Sequence, residues 1–167
     1  LSLTAAFFES EQTVASKDDV TGEDVDIKGL TVDGFEAELK GNLTDKFSLV
    51  AGFTAMDGET SSGGEPREIP DQMLTLYGTY EISDKAGVAF GFTKQGESNI
   101  KNNKPDLVLP SYTRFDMAAY YNISDDLVLR FNVENLTDEL YFPHSHSTHQ
   151  ASVGEEKNVR VSISKKF

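Results

Sequence analysis

The stretch LVLRFNVENLTDELYFPHSHSTHQASVGEEKNVRVSISKKF, residues 127–167, decides the fold. Its first part alternates apolar and polar residues, with apolar side chains at Leu127, Leu129, Phe131 and Val133. Its last part alternates in the same way and reaches an aromatic terminal residue, through Val159, Val161, Ile163 and Phe167. Such a period of two is typical of a β-strand with one apolar face. A closed membrane barrel would give the terminal aromatic residue an apolar environment, because the last strand pairs with the first and faces lipid.

The composition excludes several classes of protein. The length of 167 residues suits one domain. The absence of cysteine excludes a disulfide scaffold, and the net charge of −13 argues against a nucleic-acid partner, because phosphate binding needs a basic face. No run of about 18 apolar residues occurs, so no membrane-spanning helix is expected. The chain begins at Leu1 within an alternating run, and we expect it to be a piece of a longer protein.

The alternation continues along nearly the whole chain and predicts eight strands. Six precede the two of the opening stretch, at about 1–11, 25–43, 46–57, 71–83, 86–97 and 111–123. The connections at 42–46, 83–86 and 124–126 are short and rich in Asp and Ser, as in hairpin turns. Longer polar connections are expected at 12–24, 58–70, 98–110 and 138–152. Alternating short and long connections predict an antiparallel up-and-down meander with all tight turns at one end, as in membrane barrels.

Acidic residues are concentrated between Glu9 and Asp26, where the only basic residue is Lys17. We expect this segment to be a solvated loop, because a run of like charges is usually exposed. An acidic vestibule at a pore mouth is the alternative interpretation.

Two observations predict that the apolar face points outward, toward lipid. The polar face carries charges near the middle of strands, at Glu36, Glu38, Arg114, Asp116, Arg130 and Glu134. Aromatic residues recur near strand ends and suit belts at the two membrane interfaces, at Phe35, Phe47, Tyr80, Tyr112, Tyr121, Tyr141, Phe142 and Phe167. The alternative is a soluble, lipocalin-like barrel that would hold the same aromatic residues in its core.

Four segments resemble the TonB-dependent receptors of the siderophore type. They are LSLTAAFFESEQT at 1–13, GLTVDGFEAELKGNLTDKFSLVAGFTAMDGE at 29–59, LPSYTRFDMAAYYNISDDLVLRFNVENLTDELYF at 109–142 and VRVSISKKF at 159–167. The resemblance implies an all-β chain that forms the C-terminal part of a transmembrane barrel of about 22 strands with a plugged lumen. It also implies that the plug domain and the segment that contacts TonB lie outside residues 1–167.

The resemblance further implies a function. The whole protein would be a bacterial outer-membrane receptor that imports iron–siderophore complexes, with energy supplied through TonB. Its partners would be the ferric siderophore, TonB, the outer-membrane lipid and the barrel assembly machinery, with Phe167 as the C-terminal assembly signal. A siderophore fits the resemblance better than cobalamin or a sugar. No cofactor is expected.

The chain departs from the family pattern in two places. Before the last strand the family has a Gly-x-Pro-Arg step, whereas Gly154 is followed here by Glu155, Glu156 and Lys157. Lys165 stands where an outward aromatic residue is usual. Its ammonium group would have to extend to the headgroups, because a charge is costly among acyl chains.

The candidate site residues fall into two sets. Polar side chains expected to line the lumen are Glu36, Glu38, Arg114, Asp116, Arg130, Glu134 and Arg160. Candidates for contacting an anionic chelate at the loop mouth are Arg67, Lys101, Lys104, His144, His146 and His149. The histidines, with Glu139 and Glu155 nearby in sequence, could alternatively bind a metal ion, but no metal site is assigned.

Catalysis is not indicated, because no nucleophile elbow, phosphate loop or nucleotide fingerprint occurs. Two other functions remain open at this point. A complete eight-stranded outer-membrane barrel could serve as an anchor or adhesin, and a soluble barrel could bind a small ligand.

Overall fold

The computed structural model describes residues 1–166, so the expected assembly signal at Phe167 lies outside the described residues. In chain order the strands are β1 Ser2–Lys17, β2 Asp24–Asn42, β3 Phe47–Thr60, β4 Gln72–Ser83, β5 Ala86–Gln95, β6 Ser98–Asn99, β7 Val108–Leu109, β8 Tyr112–Ser124, β9 Leu127–Glu134, β10 His144–Ser145, β11 Ala151–Ser152 and β12 Asn158–Lys165. A short 3₁₀ helix, Ser147–His149, lies between β10 and β11. No helix in the described part of the chain is long and apolar enough to cross a bilayer.

Eight long strands form one antiparallel sheet in the order β1-β2-β3-β4-β5-β8-β9-β12. Each long strand pairs with its neighbour in sequence among the long strands, so the predicted up-and-down meander is confirmed. The two-residue ladders β6–β7 and β10–β11 belong to the connections. Among residues 1–166, β1 and β12 are the two edges of the sheet and are not paired with each other. These eight strands therefore do not close into a small barrel by themselves.

The strand register gathers the apolar side chains on one face. Paired residues share a face of a sheet, and the apolar pairs include Leu3–Leu39, Ala51–Leu76, Leu76–Phe92, Phe92–Phe115, Ala119–Phe131 and Phe131–Val161. This face is open to its surroundings, since Phe90 is 41% exposed, Phe131 44% and Ile163 66%. An apolar interior is thus absent along these strands. The soluble-barrel alternative is wrong, because it required these side chains to be packed together.

The aromatic residues on this face pack in pairs across strands. The ring centroids of Phe7 and Phe35 are 5.1 Å apart, and those of Phe92 and Phe115 are 5.2 Å apart. Lys165 lies on the same face, opposite Leu127, and its Nζ is 4.0 Å from Oδ2 of Asp126 in the short turn. The ammonium group therefore reaches the rim of the sheet, as expected for a lysine that extends to the headgroups.

The prediction of a loop at 12–24 is wrong. β1 continues to Lys17 and β2 begins at Asp24, and the register runs through pairs such as Val14–Ile27 after a shift between Gln12 and Thr13. Only residues 18–23 connect the two strands, so most of the acidic segment is strand. Strand pairing depends on backbone hydrogen bonds and does not need apolar side chains. A hairpin with water on both faces can therefore continue where the alternation of apolar and polar side chains stops.

Asp18 closes the tip of this hairpin. Its Oδ1 accepts hydrogen bonds from the backbone N–H groups of Val20 at 2.9 Å and Thr21 at 2.7 Å, and from the Thr21 hydroxyl at 3.1 Å. These bonds lower the pKa of Asp18 from its ordinary value of 3.8, and the bonds from the Thr21 and Val20 amides contribute most. Residues 18–23 therefore form an ordered turn, while the acidic vestibule stays an alternative interpretation.

Candidate functional site

The long connections lie together at one end of the sheet, opposite the short turns. Those after β3, β5 and β9 each carry hydrogen bonds to a neighbouring connection or strand. This end is the candidate ligand-facing site, because loops at one end of a rigid sheet are where binding residues concentrate.

Asn135 anchors the connection from β9 to β12. Its side chain is 1% exposed, and its Nδ2 donates to the carbonyls of Glu139 at 2.9 Å and Glu155 at 3.0 Å. Its Oδ1 accepts from the Glu139 N–H at 2.9 Å, and its own N–H donates to Oδ1 of Asp116 at 2.9 Å. Asn135 has φ 50°, a left-handed conformation that asparagine tolerates better than most residues. The NLTD element thus ties the two ends of this long connection to strand β8.

A polar cluster lies beside Asn135 on the face opposite the apolar one. Arg114 donates to Oδ2 of Asp116 from Nε at 3.1 Å and from Nη2 at 3.0 Å, and its Nη1 donates to the Tyr141 hydroxyl at 3.1 Å. The Tyr112 hydroxyl donates to Oε1 of Gln95 at 3.2 Å, and the rings of Tyr112 and Tyr141 are 4.6 Å apart. The prediction that Tyr112 and Tyr141 belong to a lipid-facing belt is therefore wrong. Tyrosines near strand ends can face either side, and only the partners of the hydroxyl decide which.

Gly154 fits against this cluster. Its N–H donates to the carbonyl of Tyr141 at 2.8 Å, and a Cβ at this position would overlap the Tyr141 ring. The returning chain therefore lies directly over the tyrosine, which is only 6% exposed. Gly154, where the chain departs from the family pattern, therefore has to be glycine because a larger residue would overlap Tyr141.

Hydrogen bonds join the connection after β3 to the next one. The Glu68 N–H donates to the carbonyl of Asn99 at 2.9 Å, and Nδ2 of Asn99 donates to Oε2 of Glu65 at 2.7 Å. The hydroxyl of Thr60 donates to Oδ1 of Asn103 at 2.7 Å. These three contacts fix the end of β3 and the two connections as one unit.

Glu68 links that unit to the third connection. Its Oε1 accepts a hydrogen bond of 2.6 Å from the N–H of Ser145, which is 77 residues away in sequence. Ser145 is 5% exposed, so this bond is shielded from water. The connections after β3, β5 and β9 thus form one hydrogen-bonded surface, which we call the loop platform (residues 61–71, 96–111 and 135–157).

All six predicted ligand-mouth residues lie on the loop platform and are exposed. Arg67 has its Nε 3.9 Å from Oε2 of Glu68, and its N–H donates to Oδ1 of Asn102 at 2.8 Å. Lys101 and Lys104 lie between β6 and β7. The platform therefore brings Arg67 near the β6–β7 hairpin, while its role in ligand contact stays a prediction.

The three histidines do not converge on one point. His146 Nδ1 and His149 Nε2 are 3.3 Å apart, whereas His144 lies in β10. Within residues 1–166, no group of three or more His, Asp or Glu side chains could hold a metal ion. The alternative of a metal site formed with Glu139 and Glu155 therefore gains no support.

The register places all seven predicted lumen-facing residues on the face of the sheet opposite the apolar face. These residues are Glu36, Glu38, Arg114, Asp116, Arg130, Glu134 and Arg160. Some of them have polar partners on this face. Lys40 Nζ is 3.2 Å from Oε1 of Glu38, and Arg130 Nη1 donates to the Ser164 hydroxyl at 3.2 Å. These groups form a polar wall on this face of the sheet.

Sequence reasoning missed one feature of the platform, a cleft of about 290 Å³ between the connections after β3 and β5. Four carboxylate residues contribute to its lining, Asp57, Glu65, Asp71 and Glu97. They come from separate segments and follow no spacing rule. The sequence therefore could not predict that these four carboxylates lie around one cleft.

Comparison with known proteins identifies the relatives of this chain. A family described as "TonB dependent receptor-like, beta-barrel" matches residues 1–136. The probable TonB-dependent siderophore receptor PiuA of Acinetobacter baumannii is 30% identical over 188 residues, which cover 100% of this chain and 25% of that protein. The chain thus spans about a quarter of the length of this relative.

Solved structures agree in fold. A crystal structure of the siderophore receptor PiuA from Acinetobacter baumannii has a TM-score of 0.83 at 28% identity, covering 99% of this chain and 26% of that one. The ferripyoverdine receptor of the Pseudomonas aeruginosa outer membrane, bound to ferripyoverdine, has a TM-score of 0.82 at 27% identity, covering 99% of this chain and 25% of that one. The meander, the outward apolar face and the matched residues lead to one conclusion: the chain belongs to the TonB-dependent receptor-like β-barrel family.

Proposed function

We propose that this chain is the C-terminal part of the barrel of an outer-membrane receptor that imports ferric siderophore complexes. Membership of the family places the strands in the bacterial outer membrane, with the apolar face toward lipid. Transporters of this family are not enzymes.

The single observation that carries the proposal is the loop platform. Three connections that are far apart in sequence are held together by hydrogen bonds, such as the partly buried one between Ser145 and Glu68. An ordered surface costs less conformational entropy when a ligand binds than three independent flexible loops would. A platform of this kind suits capture of a bulky chelate from outside the cell.

The exposed basic residues on the platform supply the proposed contacts. Arg67, Lys101 and Lys104 could bind the acidic oxygens of a ferric chelate, and His144, His146 and His149 extend the same surface. The lumen-facing wall would line the path inward, toward a plug contributed by another part of the whole protein. A siderophore is favoured over cobalamin or a sugar because the named relatives are siderophore receptors.

The remaining proposed partners act through other parts of the whole protein or through the ends of this chain. TonB would supply energy through the N-terminal part of the receptor. The barrel assembly machinery would recognise the C-terminal strand, with Phe167 as its signal. The support for both is membership of the family.

The test uses the full-length receptor in a strain that lacks its own siderophore receptors. Uptake of radiolabelled iron is measured under iron starvation with a panel of ferric chelates, with and without active TonB. We expect TonB-dependent uptake of at least one chelate, and weaker uptake when Arg67, Lys101 and Lys104 are all changed to glutamine. Changing Lys17 to glutamine is the matched control, because Lys17 lies on the β1–β2 hairpin and pairs with Asp24. Absence of uptake for every chelate, with the receptor present and folded in the membrane, would refute the proposed function.

A further inference from the structure

The acidic cleft is bounded by the end of β3, the connection after it and the β5–β7 segment. Its volume of about 290 Å³ is small. Sites that enclose a whole organic ligand usually measure about 300–1,000 Å³. The cleft is therefore at the lower end of that range, and one arm of a chelate fits it.

The charge of the cleft is uncompensated. Its lining includes Asp57, Glu65, Asp71 and Glu97, and no lysine or arginine. The ion pairs found among residues 1–166 involve other carboxylates. Glu65 accepts from Asn99 and Asp57 accepts from the Gly58 N–H, and these neutral donors leave the negative charge in place. A cationic group is the complement of such a surface.

Ser98 is an independent sign of a ligand. It lines the cleft and is 5% exposed. Its hydroxyl has no hydrogen-bond partner among residues 1–166, and it is not one of the fully enclosed hydroxyls, which are those of Thr31 and Ser145. Because the Ser98 hydroxyl is not fully enclosed, it stays able to donate to, or accept from, a group that enters the cleft. The open side from which that group can come is the cleft.

The rest of the lining decides what kind of cation fits. Met56, Pro66, Ile69, Pro105 and Val108 provide apolar surface beside the carboxylates. The carboxylates do not gather closely enough to hold a metal ion, since no suitable group of three occurs in the described part of the chain. An alkylammonium group matches both properties, because its carbon stem packs on apolar side chains while its N–H groups donate to oxygen.

We propose that the acidic cleft binds an alkylammonium arm carried by the ferric chelate, with Asp71 and Glu97 as acceptors and the Ser98 hydroxyl as a third. This inference rests on the proposed function and adds a substrate class to it. The receptor would prefer chelates with a free primary amine over chelates of the same iron core whose amine is acylated.

The first experiment measures the cleft without iron. The full-length receptor in detergent is titrated with n-butylammonium, with n-butanol as the uncharged probe, and binding is followed by saturation-transfer NMR. We expect n-butylammonium alone to bind, and to bind about tenfold more weakly when Asp71→Asn and Glu97→Gln are combined, as loss of charge-assisted hydrogen bonds in a partly open site predicts. Asp106→Asn is the matched control, because Asp106 is an exposed carboxylate on the β6–β7 hairpin outside the lining, and should leave binding unchanged. Equal binding by the double variant, or saturation by calcium chloride at lower concentration than n-butylammonium, would overturn the inference.

The second experiment uses uptake of a ferric trihydroxamate that carries a free primary amine and of the same chelate N-acetylated. We expect the wild-type receptor to prefer the free amine by about tenfold, and the double variant to lose that preference. Ser98→Ala provides a milder change, with an expected loss of about threefold, should the double variant fail to fold. Equal uptake of both chelates by wild type would refute the inference and leave the proposed function standing. Binding of n-butylammonium without uptake of any chelate would support the cleft and refute the proposed function.

Discussion

Replacing Asn135 with alanine removes the side chain that anchors the connection from β9 to β12. Three hydrogen bonds are lost, two from Nδ2 to the carbonyls of Glu139 and Glu155 and one from the Glu139 N–H to Oδ1. Because the site is 1% exposed, water cannot replace these bonds without an opening of the loop. The alanine would also have to adopt φ 50°.

The cost can be worked out from these contacts. Each hydrogen bond contributes about 1 kcal/mol net, so three contribute about 3 kcal/mol. A left-handed conformation costs alanine about 1 kcal/mol more. The free energy of local opening should therefore fall by about 4 kcal/mol, which corresponds to roughly 700-fold faster hydrogen exchange. Asn135→Gly removes the bonds without the strain and should lose about 3 kcal/mol, or roughly 140-fold.

The assay is hydrogen–deuterium exchange of the full-length receptor in detergent, read from peptides that contain the Glu139 amide. Asn132→Ala is the matched control, because Asn132 lies in β9 three residues before Asn135 and has no side-chain hydrogen bond among residues 1–166. Asn132→Ala should leave these peptides unchanged. If Asn135→Ala and Asn132→Ala had equal effects on exchange, or if Asn135→Gly exchanged faster than Asn135→Ala, the reasoning would be refuted.

Two further tests by substitution and one titration have definite expected outcomes. Gly154→Ala should destabilise the loop platform by about 1–3 kcal/mol, because the new methyl group overlaps the Tyr141 ring. The measurement is hydrogen–deuterium exchange of peptides around Tyr141, which should become faster. Unchanged exchange would contradict the packing of Gly154 against Tyr141. Phe131→Arg should lower the free energy of barrel unfolding in lipid by about 2–4 kcal/mol, because it puts a charge on the apolar face. Asn132→Arg, on the polar face, should lower that free energy far less. Equal losses would mean that the apolar face does not point toward lipid. An NMR titration should give Asp18 a pKa below 3.8. The Asp18 carboxylate should therefore stabilise the turn at higher pH, and this stabilisation should be lost as the pH falls through the pKa. A pKa above 3.8 would contradict the turn geometry.

Much of the barrel could be predicted because period-two alternation is a local property. The tight turns at 42–46, 83–86 and 124–126 were predicted from residues that favour turns, and the structure has turns there. The direction of the apolar face followed from mid-strand charges such as Arg114, and the exposed Phe131 and Ile163 agree with it.

The errors have physical reasons. The β1–β2 hairpin continues beyond the apolar region, where pairing is held by backbone groups and any polar side chain is tolerated. Position near a strand end predicts a lipid-facing place for Tyr112 and Tyr141, but a tyrosine carries both an apolar ring and a polar hydroxyl and suits either face. Their contacts with Gln95 and Arg114 place them on the polar face instead.

The sequence alone determined that eight long strands form the sheet and which face of most strands is apolar, since alternation depends on neighbours within a few residues. Only the tertiary structure decided which distant groups meet: Ser145 with Glu68, Asn135 with Glu155, and four carboxylates around one cleft. The reason is that loop contacts depend on backbone path and strand register, and polar loop residues have no periodicity from which those can be read.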